Sequence, residues 1–471
     1  MKAMNPSTKS PFCRIRPPCL YGCCLLLCLC LCLGFPAASQ AALSYQDALA
    51  RALDQEARHQ AEEHEARATR ADGWRSIAGM GPTLTAHLQP SFNEDRLQRD
   101  AVPALEYAGE DRSSSYHDTE IGITLRQPLL DFERLHTARY GSRQIDLADQ
   151  MRRRSSEELS VRVAELYYAV LAARDSLAVR EAEEKTLKQQ VEAARSRQAL
   201  GYGTAIDVHD AEARQALARA ATIAGRDELN NARLALQEVL HQEALEDLAP
   251  SPALAELPRR ERNLAFWQQQ ARERNTDLQM KDRQAEMARL ERQAAWSRFA
   301  PRLHAVASYT YSKPSDSLYY GAEEESEGYI GLRLEMDLLN GGADTAASIA
   351  AGQRFEAAQA RLEESRRAVA RSVQSMWDSL GSTYALAEAY EGAAQANRQA
   401  MMATEAGYRE GVKVLLDVLD AQQKYYSALN QAQNVRNNYM ILYYKFVALT
   451  GRSELPLQEE PGADKVRARE Q

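Results

Sequence analysis

The segment Tyr329-Ile330-Gly331-Leu332-Arg333-Leu334-Glu335-Met336 alternates apolar and polar residues, which predicts a strand with one apolar face. Three further segments alternate in the same way: Thr83-Leu84-Thr85-Ala86-His87-Leu88-Gln89, Glu120-Ile121-Gly122-Ile123-Thr124-Leu125-Arg126 and Leu303-His304-Ala305-Val306-Ala307-Ser308-Tyr309-Thr310-Tyr311. We therefore expect four strands, over about residues 82–91, 118–127, 302–312 and 328–337. The alternation fits any half-buried sheet as well as a membrane barrel, so alone it does not decide between them.

Two long polar segments separate the strands within each pair, and we expect both to be loops: 93–117 and 313–327. Long loops between strands of about ten residues are typical of outer-membrane barrels. Four strands are too few to close a barrel in lipid, which needs about eight or more. An open sheet edge in lipid leaves backbone groups unpaired, so several chains must share the barrel. Two copies would supply eight strands and three would supply twelve.

The rest of the chain predicts long helices, over about residues 133–200, 204–242, 343–408 and 412–449. The first and third contain no proline, and at 1.5 Å per residue each is roughly 100 Å long. Apolar residues recur at coiled-coil spacing, as in the row Leu159, Val163, Leu166, Val170, Ala173 and Leu177. These helices alone are also compatible with an ordinary coiled-coil dimer.

The two halves of the chain repeat each other. Residues 121–131 match 330–340, and Gly201 with Asp207-Val208 matches Gly411 with Asp417-Val418. We therefore expect a first structural repeat over residues 42–250 and a second over 251–450. Three prolines mark the joint between them, and residues 451–471 form a polar tail that we expect to be flexible: Pro250, Pro252 and Pro258.

Residues 1–41 are predicted to be a cleaved signal peptide, because four basic residues precede the apolar run Leu20–Leu33 and small residues follow it. A retained membrane anchor and a lipid-attached cysteine are the alternatives. All seven cysteines lie in this segment, so the mature chain would have no thiol chemistry. Cleavage would remove four positive charges and move the formal charge from −8 to about −12, which disfavours nucleic acid as a partner. No later apolar stretch reaches the length of a transmembrane helix, so we expect the strands to cross the membrane.

With these motifs the chain resembles the TolC-like outer-membrane factors, the exit ducts of bacterial efflux pumps and type I secretion systems. The most specific segments are 201–208 and 411–421, which resemble the family's two periplasmic helix-turn-helix tips, and 127–134 and 338–342, which resemble its strand-to-helix corners. Asp337 stands where the family often has proline, and Val414 where the second tip often has threonine. The resemblance implies a mainly α chain whose four strands join a shared twelve-stranded membrane barrel. Its long helices would form a periplasmic α-barrel.

The resemblance also implies roles for residues at the tips. Asp417 and Asp420 match acids that constrict the tunnel; one helical turn apart, they would form a six-carboxylate ring that favours cations. Three residues match positions that hold the tunnel closed: Asp207, Tyr408 and Lys413. The tip residues Gly201, Gly203, Thr204 and Gly411 would meet a periplasmic adaptor. More ordinary roles stay open: Asp207 as a helix-capping partner of Thr204, Asp417 and Asp420 on a solvated face, Tyr408 in packing, and the glycines in tight turns.

The mature sequence has no motif for catalysis, for a cofactor or for metal binding; His59 and His64 lie five residues apart and share no helix face well. We therefore expect a passive exit duct, not an enzyme, in the outer membrane of a Gram-negative bacterium and extending into the periplasm. Its expected partners are two further copies, outer-membrane lipid, a periplasmic adaptor (membrane fusion protein) and an inner-membrane ABC or RND transporter. A periplasmic coiled-coil adaptor or scaffold is the alternative. The cargo, drugs or secreted polypeptide, stays open.

Overall fold

A computed structural model describes residues 42–99, 110–259, 262–313, 315 and 324–451. Within them the helices and strands are, in chain order, α1 (Tyr45–Gln55), α2 (Ala57–Ala78), β1 (Thr83–Arg99), β2 (Glu110–Leu130), α3 (Phe132–Ala199), α4 (Ala205–Leu240), α5 (Leu264–Arg274), α6 (Thr276–Ser297), β3 (Arg302–Ser312), β4 (Glu325–Glu335), α7 (Ala343–Arg409) and α8 (Leu415–Leu449). The prediction of a mainly α chain with four strands is confirmed. The predicted signal segment and all but the first residue of the predicted tail lie outside the described residues.

The four strands form one antiparallel sheet in the order β1-β2-β3-β4. Its register aligns the apolar residues of neighbouring strands: Leu88 lies opposite Ile121, and Ile121 lies opposite Tyr311. Ala307 of β3 lies opposite Ile330 of β4 in the same way. Since side chains alternate between the two faces of a sheet, this register places most of the apolar residues of the four strands on one face.

This apolar face is exposed to an unusual degree for hydrophobic side chains, with Leu84 at 70% and Ile330 at 87% of full exposure. The opposite face is polar, and two side-chain contacts join its strands. His87 Nε2 lies 3.1 Å from Glu120 Oε1, and Arg126 on β2 reaches across β3 to Glu335 at 3.3 Å.

The helices lie side by side beneath the sheet. α8 contacts both α3 and α7, while α4 packs on the outer side of α3. Nearer the sheet, α2 packs along α3, and α6 lies between α3 and α7. We call α3 with α4 the first hairpin and α7 with α8 the second hairpin.

The largest hydrophobic core lies midway along the helices, where the start of the described chain, the joint between the halves and α8 meet. Leu43 forms a parallel bridge with Leu248, and the Tyr167 hydroxyl donates to the Leu43 carbonyl at 2.9 Å. The Tyr45 ring lies 4.2 Å from the Tyr444 ring. This core fixes the two hairpins relative to each other.

Two sequence predictions are corrected. Residues 93–99 and 110–117, expected within a loop, extend β1 and β2, because the antiparallel pairing continues to Arg99 opposite Glu110. Backbone pairing does not require alternating apolar residues, so the polar sequence of these residues gave no sign of a strand. Glu325–Glu327, also expected in a loop, belong to β4.

Helices α1, α2, α5 and α6 were not predicted from the sequence. The reason is clear in α2, whose buried residues are His59, Ala66 and Gly73. A helix that buries small or polar residues has no apolar stripe for a periodicity analysis to detect. Among the described residues, no helix is long and apolar enough to cross a membrane.

Helices α2 and α3 approach each other most closely at a pair of glycines. A Cβ atom on Gly141 would lie 2.4 Å from the Gly73 carbonyl oxygen, and one on Gly73 would lie 2.6 Å from the Gly141 carbonyl oxygen. These distances are below van der Waals contact and involve backbone atoms, which cannot rotate away. The crossing of α2 over α3 therefore requires glycine at both positions.

We expect Gly141→Ala to destabilise the chain by about 2 kcal/mol, because α2 must move away from α3. Gly352 lies in α7 with open space around its Cα, so the control Gly352→Ala should gain up to about 1 kcal/mol from helix propensity. Thermal unfolding of the detergent-solubilised protein, followed by helical circular dichroism, measures both. Equal melting temperatures for the two variants would contradict the close-packed crossing.

Candidate functional site

The two hairpin ends, at residues 200–204 and 410–414, fold in the same way. Each contains a glycine in the left-handed region, Gly201 at φ +78° and Gly411 at φ +79°. The next amide closes each turn at 2.9 Å, from Tyr202 to the Arg197 carbonyl and from Val412 to the Gly407 carbonyl. These bonds satisfy carbonyls at the ends of α3 and α7, and glycine supplies the backbone conformation at no steric cost. We call these turns the first tip and the second tip.

The tips differ in how the next helix begins. At the first tip Thr204 caps α4: the Asp207 amide donates to Thr204 Oγ1 at 3.1 Å, and the Thr204 amide donates to Asp207 Oδ2 at 3.1 Å. At the second tip Val414 holds the equivalent position and has no side chain that can cap α8. The capping role considered for Asp207 is therefore present.

Without a capping threonine beside it, Asp417 forms a different contact. Lys413 Nζ lies 3.5 Å from Asp417 Oδ2. Within this chain Lys413 thus pairs with Asp417 and not with Asp207. The link between Lys413 and Asp207 stays a prediction.

Asp420 is paired across the two hairpins. Arg214 on α4 donates to Asp420 Oδ1 at 2.6 Å, and its other terminal nitrogen donates to Gln423 Oε1 at 3.3 Å. The Arg214 side chain is mostly covered, at 27% exposure, whereas Asp420 is about half exposed. Asp420 and Gln423 are one turn apart on α8, so one guanidinium contacts both side chains.

Tyr408 also joins the hairpins. Its ring lies beneath the Arg197 guanidinium of α3, with 4.1 Å between the guanidinium carbon and the ring centroid. A cation over an aromatic face is attracted by the negative charge of that face. Tyr408 also packs against a buried cluster drawn from α3, α4 and α8: Leu187, Val191, Ala194, Val208, Ala211, Ala218, Leu415 and Leu419. The packing role considered for Tyr408 is therefore present too.

Further from the tips, two polar contacts line the same helices. Gln422 is buried and donates to Glu405 at 3.0 Å, and the hydroxyls of Thr186 and Tyr426 lie 2.8 Å apart. Burial raises the pKa of Tyr426 above its usual value. Such contacts tie α8 to α7 and to α3.

Arg197 and Arg214 were not predicted from the sequence to belong to the site. Neither arginine belongs to the tip motifs, and the sequence contains many arginines on helix surfaces. Only the packing of the hairpins brings each one to its partner. The structure thus brings Tyr408, Asp417 and Asp420 to one end of the helices together with basic side chains.

In the described part of the chain no group of three or more His, Cys, Asp or Glu residues is placed to hold a metal ion. What the tips offer is a set of paired charges and hydrogen bonds between neighbouring helices.

Comparison with known proteins agrees with this architecture. The family model of the outer membrane efflux protein matches residues 44–241 and 267–452. The alkaline protease secretion protein AprF of Pseudomonas aeruginosa is 30% identical over 404 residues, which cover 85% of this chain and 82% of AprF. The outer membrane protein TolC of Vibrio cholerae is 28% identical, over 65% of this chain and 70% of TolC. The crystal structure of CusC has the same fold, with a TM-score of 0.75 at 15% identity over 86% of this chain and 92% of CusC.

The chain belongs to the outer membrane efflux protein family. It is a TolC-like protein of the outer membrane that extends into the periplasm and serves as an exit duct. Proteins of this family are channel and transport proteins, not enzymes.

The different caps of the two tips lead to paired predictions. Thr204→Ala should destabilise the first turn of α4 by about 1 kcal/mol, because two capping hydrogen bonds are lost. Val414→Thr should stabilise the first turn of α8 by a similar amount, because its hydroxyl can accept from the Asp417 amide. Amide hydrogen exchange should accordingly become about fivefold faster at residues 205–208 and slower at 415–418.

Thr204→Ser retains the hydroxyl and serves as the control. If exchange at residues 205–208 is the same in Thr204→Ala as in Thr204→Ser, the threonine cap does not hold the first tip.

Proposed function

We propose that three copies of this chain form an exit duct through the outer membrane for a secreted polypeptide. In this proposal the sheets of three chains join into one twelve-stranded membrane barrel, and the hairpins form a periplasmic α-barrel below it. An inner-membrane ABC or RND transporter supplies the energy, and a periplasmic adaptor connects the transporter to the tips. The chain itself conducts passively.

The sheet is the observation that supports this assembly most strongly. β1 and β4 are its two edges, and neither pairs with a further strand among the described residues. The sheet also exposes a continuous apolar face, which suits lipid. Unpaired backbone groups in lipid cost several kcal/mol each, so an edge in contact with lipid must find another strand. A second copy of the same sheet supplies such a strand, because its β4 edge can pair with the β1 edge of the first copy.

The dimensions of the helices support an internally duplicated chain. Elements in corresponding positions have nearly equal lengths: α1 and α5 have 11 residues each, α2 and α6 have 22 each, α3 and α7 have 68 and 67, and α4 and α8 have 36 and 35. The glycine turns at both tips repeat the same backbone geometry. Three copies with two hairpins each would surround the tunnel with six similar units.

The tips are the proposed contact with the adaptor. Gly201, Gly203, Thr204 and Gly411 shape them, and large apolar side chains project beside them, with Tyr202 at 86% and Val412 at 78% exposure. Exposed apolar side chains at such a position favour a protein partner. Asp417 and Asp420 are the proposed constriction acids, and Asp207, Tyr408 and Lys413 the proposed links of the closed state.

A secreted polypeptide is the cargo that we favour over small toxic molecules. The support is the similarity to a protein named for the secretion of alkaline protease, which extends over 85% of this chain.

Deletion of the chain from its own cell tests the function and the cargo together. We expect one or more polypeptides to disappear from the culture fluid and to return with the wild-type chain. The double variant Tyr202→Glu/Val412→Glu should form heat-stable trimers without restoring secretion, because charge at the tips repels the apolar surface of an adaptor. Unchanged secretion together with increased sensitivity to drugs would contradict polypeptide cargo.

A further inference from the structure

Both proposed constriction acids are paired with basic residues in this conformation, and the two pairs differ in one respect. Lys413 and Asp417 lie on the same hairpin, so their pair survives any relative movement of the hairpins. Arg214 lies on the first hairpin and Asp420 on the second. Separating the hairpins must therefore break the Arg214–Asp420 pair and leave the Lys413–Asp417 pair intact.

The Arg214–Asp420 pair is well placed to resist such a separation. Helices α4 and α8 have little other contact, so this guanidinium is a principal link between them. It donates to Asp420 at 2.6 Å and to Gln423 at 3.3 Å, which fixes its direction along α8. Charge-assisted hydrogen bonds of this kind are stronger than neutral ones, and the low exposure of Arg214 reduces screening by salt.

The same pair controls how much negative charge Asp420 presents. While Arg214 is paired with Asp420, the positive and negative charges cancel locally. Once the pair is broken, the carboxylate of Asp420 again produces a negative electrostatic potential around it. Lys424 lines the same groove and stays on α8 with Asp420, but no ion pair joins them in the described chain. Lys424 is four residues from Asp420 on an exposed helix surface, so it neutralises the charge of Asp420 only weakly.

We propose that Arg214 couples opening of the duct to its ion selectivity. In the closed state Arg214 holds the two hairpins together and cancels the charge of Asp420. When the hairpins separate, the contact breaks and the entrance becomes more selective for cations. This inference rests on the proposed function, since it takes Asp420 to lie at the tunnel entrance.

Single-channel recording in planar lipid bilayers tests the coupling with the full-length chain. Arg214→Ala should raise the open probability about fivefold, the upper range for a partly exposed ion pair. It should also shift the reversal potential in a KCl gradient toward cation selectivity, because Asp420 is left uncancelled. Asp420→Asn should raise the open probability in the same way but should not increase cation selectivity, because it removes the charge as well as the pair.

A matched control lies close to the tip. Arg195 pairs with Glu212 at 2.7 Å, but both residues belong to the first hairpin. Arg195→Ala removes the same charge without releasing the second hairpin, so its open probability should stay that of the wild type. The exchange Arg214→Asp/Asp420→Arg restores a pair of opposite charges and should return the open probability to the wild-type level.

The coupling is overturned if Arg214→Ala behaves as Arg195→Ala does, or if the exchanged pair behaves as the single variants do. A wild-type chain that forms trimers but conducts no ions would overturn the proposed duct, and this inference with it. Conducting channels that do not respond to Arg214→Ala would overturn this inference alone.

Discussion

The backbone at the two edges of the four-stranded sheet sets the main constraint on this protein. β1 and β4 each carry a row of amide and carbonyl groups along one side that no strand of the described chain satisfies. On the same sheet, the residues of one face are apolar and largely exposed. In water the apolar face would be unfavourable, and in lipid the open edges would be. A closed assembly of several copies in the membrane removes both costs, which is why the proposed shared barrel follows from the sheet more than from the helices.

The helices are held together in a different way, by many small contacts along their length. The middle of the bundle has a true hydrophobic core, built around Leu43, Tyr45, Tyr167 and Tyr444. Toward the tips that core gives way to a small cluster and to polar contacts such as Arg197 over Tyr408 and Arg214 with Asp420. Contacts between exposed charges contribute less than buried apolar packing and are easier to break. We therefore expect the free energy for separating the hairpins to be lowest at the tips, where the proposed duct would open.

The two tips share a backbone geometry but differ in the role of one aspartate. Position 204 is threonine and the equivalent position 414 is valine, and the aspartate three residues later makes different contacts in the two cases. Asp207 is used in capping α4, while Asp417 is free to pair with Lys413. The difference between threonine and valine at the capping position thus decides whether the aspartate caps the helix or pairs with a charged side chain.

The sequence was sufficient for the strands and long helices, because alternation along the strands and the proline-free runs of α3 and α7 are strong local signals. It failed for α2, which packs through Gly73 and Ala66, and for the polar ends of β1 and β2, where pairing depends on the backbone. The resemblance to a known family drew attention to Tyr408, Asp417 and Asp420, but not to Arg197 and Arg214. Those arginines acquire their partners only when two hairpins far apart in the sequence pack together, and no local pattern encodes that encounter.

Disulfide trapping between the edge strands tests the shared barrel most directly. Within one chain β1 and β4 are three strand spacings apart, about 14 Å, which exceeds the reach of a disulfide. All seven cysteines of the sequence precede residue 42, so cysteines placed at Leu88 and, in turn, at Ile330, Leu332 and Leu334 would be the only thiols beyond the expected signal peptide.

The control pair Leu88→Cys/Ile121→Cys joins partners in adjacent strands and should form a bond within the chain. The shared barrel predicts that at least one β1–β4 pair gives oxidised dimers and trimers on a non-reducing gel, with the trimer as the largest product. If every β1–β4 pair stays monomeric while the control pair forms its bond, the edges do not meet between chains and the account of the assembly is wrong.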